Sequence, residues 1–487
     1  MSNPFDFSSD PVFSIFSEIN QIPRCSHDEK RIGEYLADCG RSRGLKTETD
    51  AAGNVRISLP AAPGLESLPK ILLQGHMDMV CVKEEGSSHD FTCDPITMVE
   101  EDGWILAEGT TLGADDGIGV AMGLALLDNL KEHPAIDLLI TTSEEVGMDG
   151  ALGMDPSWLD AKYLINIDSE EEGYVTCGCA GGCSGHFTLP LSRIARTGQE
   201  GIRIRIDGMR GGHSGMNILA VNTHAMKTMA ELLHRLQENT DFSLYSLTGG
   251  TKHNAIPNVS EAVVSFDAEK KEVFLAALKD AYDQLLQNLV KLEPDVHIHW
   301  EDCELPFGAL EKESAARLLG MTELIPHGVF AMNADGKSVQ TSDNFAILDV
   351  NEDNADFLIS CRSSSTARLK ELQESIQRVA STFQSRGEFS DGYPAWEMKE
   401  VSPLRDLFLS RYHQETGTDA EVLDIHAGLE CALFAQKNPE LDMISIGPDV
   451  LGAHTTQEKL SISSTRKTYE WIQKLIADIV KVHTQSA

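Results

Sequence analysis

The sequence has no run of about 18 or more consecutive apolar residues, so no segment is expected to cross a bilayer as a helix. Its opening, MSNPFDFSSDPVF, has neither a basic stretch nor an apolar one and does not read as a secretory signal. Basic residues are scarce: 40 Lys and Arg stand against 76 Asp and Glu, a formal net charge of -36. Such a surface repels phosphate backbones and anionic lipid, which argues against nucleic acid and membranes as partners, and it favours cations. The ten cysteines show no regular spacing, so they are expected as reduced thiols, with the cytoplasm as compartment. Short-period repeats and low-complexity segments are missing too. What remains has the 41% hydrophobic and 24% charged residues of a folded protein. At 487 residues it is too long for one ordinary core.

Pro11 stands at a first helical position behind Ser9 and Asp10, and Val12, Ile15, Phe16 and Ile19 follow at helical spacing. Ser26 with Glu29 reads as a capping box for a second helix carrying Ile32, Tyr35, Leu36 and Cys39. Short apolar runs then alternate with helical ones: strands at 71–73, 136–140 and 163–167, and a helix at 117–130. This alternation predicts an α/β layer with a mainly parallel sheet. Beyond about 187 come strands at 202–206, 242–247, 262–266 and 296–300 with helices at 218–236 and 273–292, a βαββαβ pattern. A strand at 357–361 and a helix at 367–383 extend it. From about 392 the α/β texture returns, with helices at 403–416, after Gly428 and up to about 482, and strands at 422–425 and 443–446. The expected architecture is an α/β catalytic domain made of 1–186 and 392–487, interrupted by an inserted α+β lid domain at 187–391.

Five acidic or histidine sites fall where strands end, which is where an open α/β sheet places ligands. In Gln74-Gly75-His76-Met77-Asp78 the imidazole can bind a metal through one nitrogen while Asp78 holds the other. Alone, a His-x-Asp is ordinarily a surface histidine beside an acid. Asp115 and Asp116, in GTTLGADDG at 109–117, stand where a helix starts. A helix cap explains one carboxylate, and explains less well the glycines that allow a tight turn. Ser143-Glu144-Glu145 is either a solvated loop or a pair with separate jobs, one acid ligating metal and the other taking a proton from water. Asp168 ends the strand 163–167, and His454 follows Gly452-Ala453. Together these two histidines and three carboxylates suit two divalent metals sharing one carboxylate; Zn, Co and Mn all fit. Cys177, Cys179 and Cys183 read as buried or loop thiols rather than ligands.

In order and spacing, His76-x-Asp78, Gly113-Ala114-Asp115-Asp116-Gly117, Glu144-Glu145, Asp168 and His454 resemble the cocatalytic di-zinc peptidases. That clan holds carboxypeptidases, aminoacylases, tripeptidases and carnosinases. The resemblance runs over nearly the whole chain and is nearest to the bacterial aminoacyl-histidine dipeptidases. The motifs are 109–117, 141–150 (TTSEEVGMDG), 166–173, 211–215 (GGHSG), 254–257 (NAIP), 426–430 (HAGLE) and 445–448. Carried over, the resemblance implies two Zn2+ per chain bridged by Asp115, with His76 and Asp168 completing one site and Glu145 and His454 the other. It implies Asp78 as the orienter of His76, Glu144 as general base and acid, and a cis Asp115–Asp116 peptide. Some relatives carry Asn where Asp116 stands, so its carboxylate either tunes metal charge or reaches solvent. From the inserted domain, Arg362, ending the strand 357–361, could pair in bidentate fashion with the substrate's C-terminal carboxylate, and the resemblance offers His213 and Asn254 to the oxyanion. Otherwise Arg362 reads as a surface salt bridge and His213 as a turn residue.

The activity implied is a metallopeptidase's: hydrolysis of Xaa-His and other small dipeptides, carnosine-like ones included. The alternative is a tripeptidase or an N-acyl-amino-acid deacylase on the same site. A metal-binding scaffold without chemistry is expected to lose Glu144, which is present. Small lids in the clan dimerise and lend a histidine to the partner. An insert of about 200 residues, roughly twice one βαββαβ unit, could instead imitate a dimer within one chain. A homodimer would then be incidental to catalysis.

Overall fold

Apolar runs with no polar alternation become central strands. In the computed structural model, which describes residues 6–195, 199–221, 223–306, 308–334, 336–390 and 392–485, four strands are buried throughout: Ile71–His76, Ile136–Thr141, Tyr163–Asn166 and Asp442–Ser445. They run parallel, in the order Ile136–Thr141, Ile71–His76, Tyr163–Asn166, Asp442–Ser445. Continuous hydrophobic runs of this kind need both faces of the sheet covered. Val55–Leu59 and Lys46–Thr49 add antiparallel strands at one edge, and Tyr174–Cys179 and Glu421–Ile425 complete eight strands at the other. The helix Ala114–Asn129 is buried over 117–127, as a helix without a polar face must be. Its backbone is non-helical at Asp115 and Asp116, so the regular helix starts beyond the acidic pair, and the Asp115–Asp116 peptide is cis.

The chain divides into two compact units: Met1–Gly178 with Met398–Asp424 and Leu429–Ala487, and Cys179–Glu397 with Ile425–Gly428. The divisions differ from 186/187 and 391/392 because Cys179 bridges Trp396, Gly182 bridges Tyr393, and Ala180 N–H donates to Ile425 O. Asp391, at the expected boundary, lies outside the described residues, as do the first five residues of the opening stretch.

The second unit is a nine-stranded sheet whose registered pairs are all antiparallel. Its order is His297–Cys303, Gln199–Asp207, Ser260–Asp267, Ser243–Gly249, Val339–Val350, Asn354–Ser363, Gly181–Pro190, Arg386–Phe389, with Gly328–Met332 added on Val339–Val350. One βαββαβ module comprises Gln199–Asp207, helix Ala225–Asn239, Ser243–Gly249, Ser260–Asp267, helix Lys271–Leu292 and His297–Cys303. The other comprises Gly181–Pro190, helix Lys312–Leu324, Val339–Val350, Asn354–Ser363, helix Thr366–Thr382 and Arg386–Phe389. The first is inserted within the second. Both order their strands fourth, first, third, second from the outside, and they meet at Gly249 and Leu348.

Three local expectations change. The helix expected from 218 starts at Ala225, capped by the His224 side chain, while 218–220 form a turn and Asn222 lies outside the described residues. Ser26 and Glu29 are not a capping box, because the helix Lys30–Ser42 has no side-chain cap and both groups are engaged elsewhere. Cys25 and Cys81 are not separate thiols: pairing of Cys25 with Met79 brings their Cα atoms to 5.7 Å and they form a disulfide. No other disulfide occurs among the described residues. Among the described residues no helix is long and apolar enough to cross a membrane.

Candidate active site

Parallel register sets the strand ends of the first unit side by side: His76 pairs with Thr141, and Asn166 with both Gln74 and Ser445. His76 closes its strand; Glu144 and Glu145, Asp168 and His454 follow the ends of theirs. Asp115 enters at the head of the helix Ala114–Asn129 and faces both histidines. Its Oδ1 lies 3.0 Å from His76 Nε2, and its Oδ2 3.1 Å from His454 Nε2. Asp168 Oδ1 is 3.5 Å from His76 Nε2, and Glu145 Oε2 is 2.9 Å from His454 Nε2. Two potential ligand groups result, His76, Asp115, Asp168 and Asp115, Glu145, His454, each with its ligand atoms within 4.8 Å of one another.

Asp78 is fully buried, and its Oδ1 lies 3.3 Å from His76 Nδ1. The same carboxylate accepts from Glu144 N (3.0 Å), Glu145 N (3.4 Å) and Ser26 Oγ (2.8 Å). The Asp78 backbone carbonyl accepts from His76 Nδ1 at 3.2 Å, so this one residue orients the imidazole while its carboxylate fixes the turn carrying the paired glutamates. Glu29 Oε1 accepts from Ser143 N (3.1 Å) and Ser143 Oγ (2.8 Å). It helps hold Ser143 at φ 53°, a left-handed backbone that costs a non-glycine residue energy. Asp116 does not reach solvent: it is 2% exposed and accepts from His76 N and Gly119 N, both at 3.2 Å. A Cβ at Gly75 would lie 2.3 Å from its Oδ2, so glycine there makes room for the carboxylate.

So many buried acids disfavour their own ionisation. Burial pushes Glu144 well above the usual carboxylate range, opposed by His76 and reinforced by Asp168, Glu430 and Glu145. Burial, opposed by His76, takes Asp168 up to about 6. Burial, with Asp115 and Asp168 nearby, takes Glu170 up to about 8. Burial also works against ionised Asp115, but hydrogen bonds from His454 and His76 outweigh it and hold that carboxyl below its ordinary value. His454 is pushed up to about 11 by its bonds to Asp115 and Glu145. A cluster that draws protons this strongly is short of positive charge, which divalent ions would supply in place of protons. Glu145 Oε1 is buried without a hydrogen-bond partner, and the nitrogen and carboxylate donors suit Zn, Co or Mn. The donor set fits a pair of metals.

Glu430 of the HAGLE motif, missed as a site residue in the sequence, is fully buried and ties two of these strands together. It accepts from Gln74 Nε2 at 2.7 Å and Thr141 Oγ1 at 2.6 Å, and burial pushes it up to about 8. A glutamate in the otherwise apolar run GLECALFA was the available signal. Ser26 and Glu29 were masked by their fit to a helix-start pattern.

His213, Asn254 and Arg362 belong to the second unit. His213 pairs with Ala255 in a short strand pair, and Asn254 O accepts from Ser214 N at 2.8 Å. His213 Nδ1 accepts from Gly215 N (3.2 Å) and Met216 N (3.3 Å), which puts the ring proton on Nε2. Arg362 Nη1 donates to Tyr393 Oη at 2.9 Å, and its buried Nε has no partner. Burial and the Arg362 charge lower His213, and take His426 down to about 4. Among the described residues no carboxylate pairs with Arg362, unlike the surface salt bridge a lone arginine suggests.

The sequence profile of Peptidase family M20/M25/M40 matches residues 72–478. The Escherichia coli (strain K12) cytosol non-specific dipeptidase is 35% identical over 98% of this chain and 99% of its own length. The crystal structure of aminoacylhistidine dipeptidase from Vibrio alginolyticus superposes with a TM-score of 0.88 at 33% identity, covering 97% of this chain and 98% of that one. An aminopeptidase from Bacillus cereus shares the fold, with a TM-score of 0.56 at 16% identity over 97% of this chain and 99% of its own. By the span of the family match and the full-length relatives, the chain belongs to peptidase family M20/M25/M40 and is a metallopeptidase.

Proposed function

We propose that the chain is a dipeptidase that cleaves Xaa-His and other dipeptides with two divalent metal ions, zinc first among them. The observation that carries this reading is Asp115, whose two oxygens each face a different histidine. His76, Asp168 and Asp115 would hold one ion, and Glu145, His454 and Asp115 the other. When bound, such a pair polarises the scissile carbonyl and makes water acidic enough to attack at neutral pH. Glu144, in neither ligand set, takes the proton from the attacking water and returns it to the leaving amine. The Asp78 backbone carbonyl accepts from His76 Nδ1–H, with the Asp78 carboxylate beside it, and so keeps the Nε2 lone pair for the ligand side. His213, through Nε2–H, and the Asn254 amide serve the oxyanion, and Arg362 pairs with the substrate's C-terminal carboxylate.

The dipeptide preference is supported by the two full-length relatives, both dipeptidases by name, and the histidine preference by the Vibrio protein's name. The name of the E. coli relative supports a cytosolic location. The two βαββαβ modules of the second unit support the reading that His213 serves its own chain, with any homodimer incidental. The test is hydrolysis of Ala-His, a tripeptide and an N-acetyl amino acid by metal-replete enzyme, with chelation and zinc restoration. Ala-His should be turned over fastest, lost on chelation and regained with zinc. Preference for the tripeptide or the N-acetyl amino acid would establish the alternative reading, and chelator-resistant activity would remove the metals from the mechanism.

A further inference from the structure

Glu458 sits in the loop that also carries His454, far along the chain from Asp115, and is 3% exposed. Its Oε2 accepts from Leu112 N (2.8 Å) and Gly113 N (3.0 Å), and its Oε1 from Ala114 N (2.7 Å) and Asp115 N (3.4 Å). Backbone N–H groups at the head of a helix have no partner within it, and a buried one left unpaired is costly. Here one carboxylate satisfies four in a row, with bonds strengthened by its charge. The opposite side of the same turn is held by Arg24, 1% exposed, which donates to Gly113 O and to Met77 O and Asp78 O, both at 3.2 Å. Gly113 takes φ 69°, so the turn follows a path that most side chains resist and that regular helix bonding does not enforce.

We infer that Glu458 is the positioning residue for Asp115: by gripping the backbone at 112–115 it aims both carboxylate oxygens and ties the two metal clusters to the His454 loop. It touches neither substrate nor ligand atoms and acts through Asp115. The inference rests on the two-metal reading above. A ligand such as His76 serves one cluster, so its loss should weaken one ion; loss of the Glu458 grip should weaken both together. Removing a side chain that orients a ligand ordinarily costs about 10–100-fold in metal affinity.

The test is calorimetric zinc titration of the metal-free chain, with the visible spectrum of the cobalt-loaded chain, for wild type, Glu458→Gln and Asp115→Ala. Glutamine keeps the size but offers one acceptor oxygen and turns an NH2 toward backbone donors. Glu458→Gln should bind both ions about tenfold or more weakly, shift the cobalt spectrum, and lower kcat while KM for Ala-His stays within about threefold. Both ions bound at wild-type affinity with an unchanged spectrum would overturn the inference, even if the melting temperature fell, because a purely structural contact would do that. Weakening of one ion alone would also overturn it. If glutamine prevents folding, Glu458→Asp, which keeps the charge on a shorter arm, is held to the same two readouts. Asp115→Ala separates the failures: if wild type does not bind two ions, or Asp115→Ala keeps both, the two-metal reading falls whatever Glu458 does.

Discussion

Glu144 and Glu145 are neighbours in sequence with different surroundings, and the proposed division of labour rests on that. Glu145 turns Oε2 to His454, whereas Glu144 belongs to neither ligand group. Glu144→Gln should therefore keep both metals while kcat falls by about 10²–10⁴, the usual worth of a general base. Metal content and turnover measured on one sample decide it, and a variant retaining more than about a tenth of wild-type kcat would take the base assignment away from Glu144. Arg362→Ala should raise KM for a dipeptide far more than for the same dipeptide amidated at its C-terminus, since the amide never made the contact. Equal effects on both substrates would move Arg362 out of the carboxylate pocket. His76, Glu145 and Asp168 stood out in the sequence because each follows closely on an apolar run that forms a buried strand, whereas Asp115 stood out through the glycine-flanked acidic pair at a helix head. Glu458 and Arg24 did not, because all four of the Glu458 donors and three of the Arg24 acceptors are backbone atoms, and a backbone partner leaves no trace in residue identity.

At the scale of elements, the buried parallel strands were read from their uniform apolarity, but Val339–Val350 was missed. Its sequence, VQTSDNFAILDV, is polar in its first half, yet Thr341, Ser342, Asp343 and Asn344 are all buried. Only the pairing with Asn354–Ser363 and Gly328–Met332 places those polar residues inside. Asp343 carries a consequence for stability. Burial, partly opposed by Lys227, pushes its carboxyl up to about 7, and its Oδ2 has no hydrogen-bond partner. An unfolded aspartate titrates near about 3.9, so between roughly pH 4 and 7 the folded chain binds more protons than the unfolded one. Stability from this group is full below the unfolded value and is lost as pH rises through the folded one. Asp343→Asn, which stays neutral, should gain on wild type by about 1–3 kcal/mol between pH 5 and pH 8 in denaturant midpoints. A difference that stays flat with pH, or runs the other way, would show that Asp343 is already ionised in the fold.

At the scale of the whole molecule, length hinted that the insert holds more than one βαββαβ unit, but not that one module is threaded inside the other. That nesting puts Gly181–Pro190 and Asn354–Ser363, far apart in sequence, side by side in one sheet. If two modules in one chain replace a pair of chains, mixing inactive Glu144→Gln and His213→Ala chains under subunit exchange should restore no activity. Recovered turnover would mean that the histidine comes from a partner. The proposed metal centre draws on segments farther apart still, with Asp115 between His76 and the loop that carries His454. The most direct test of that centre is anomalous diffraction at the zinc edge from crystals of the zinc-loaded protein. The account predicts two peaks about 3.5–4 Å apart, one beside each oxygen of Asp115. A single peak, or two peaks that do not share that carboxylate, would contradict it.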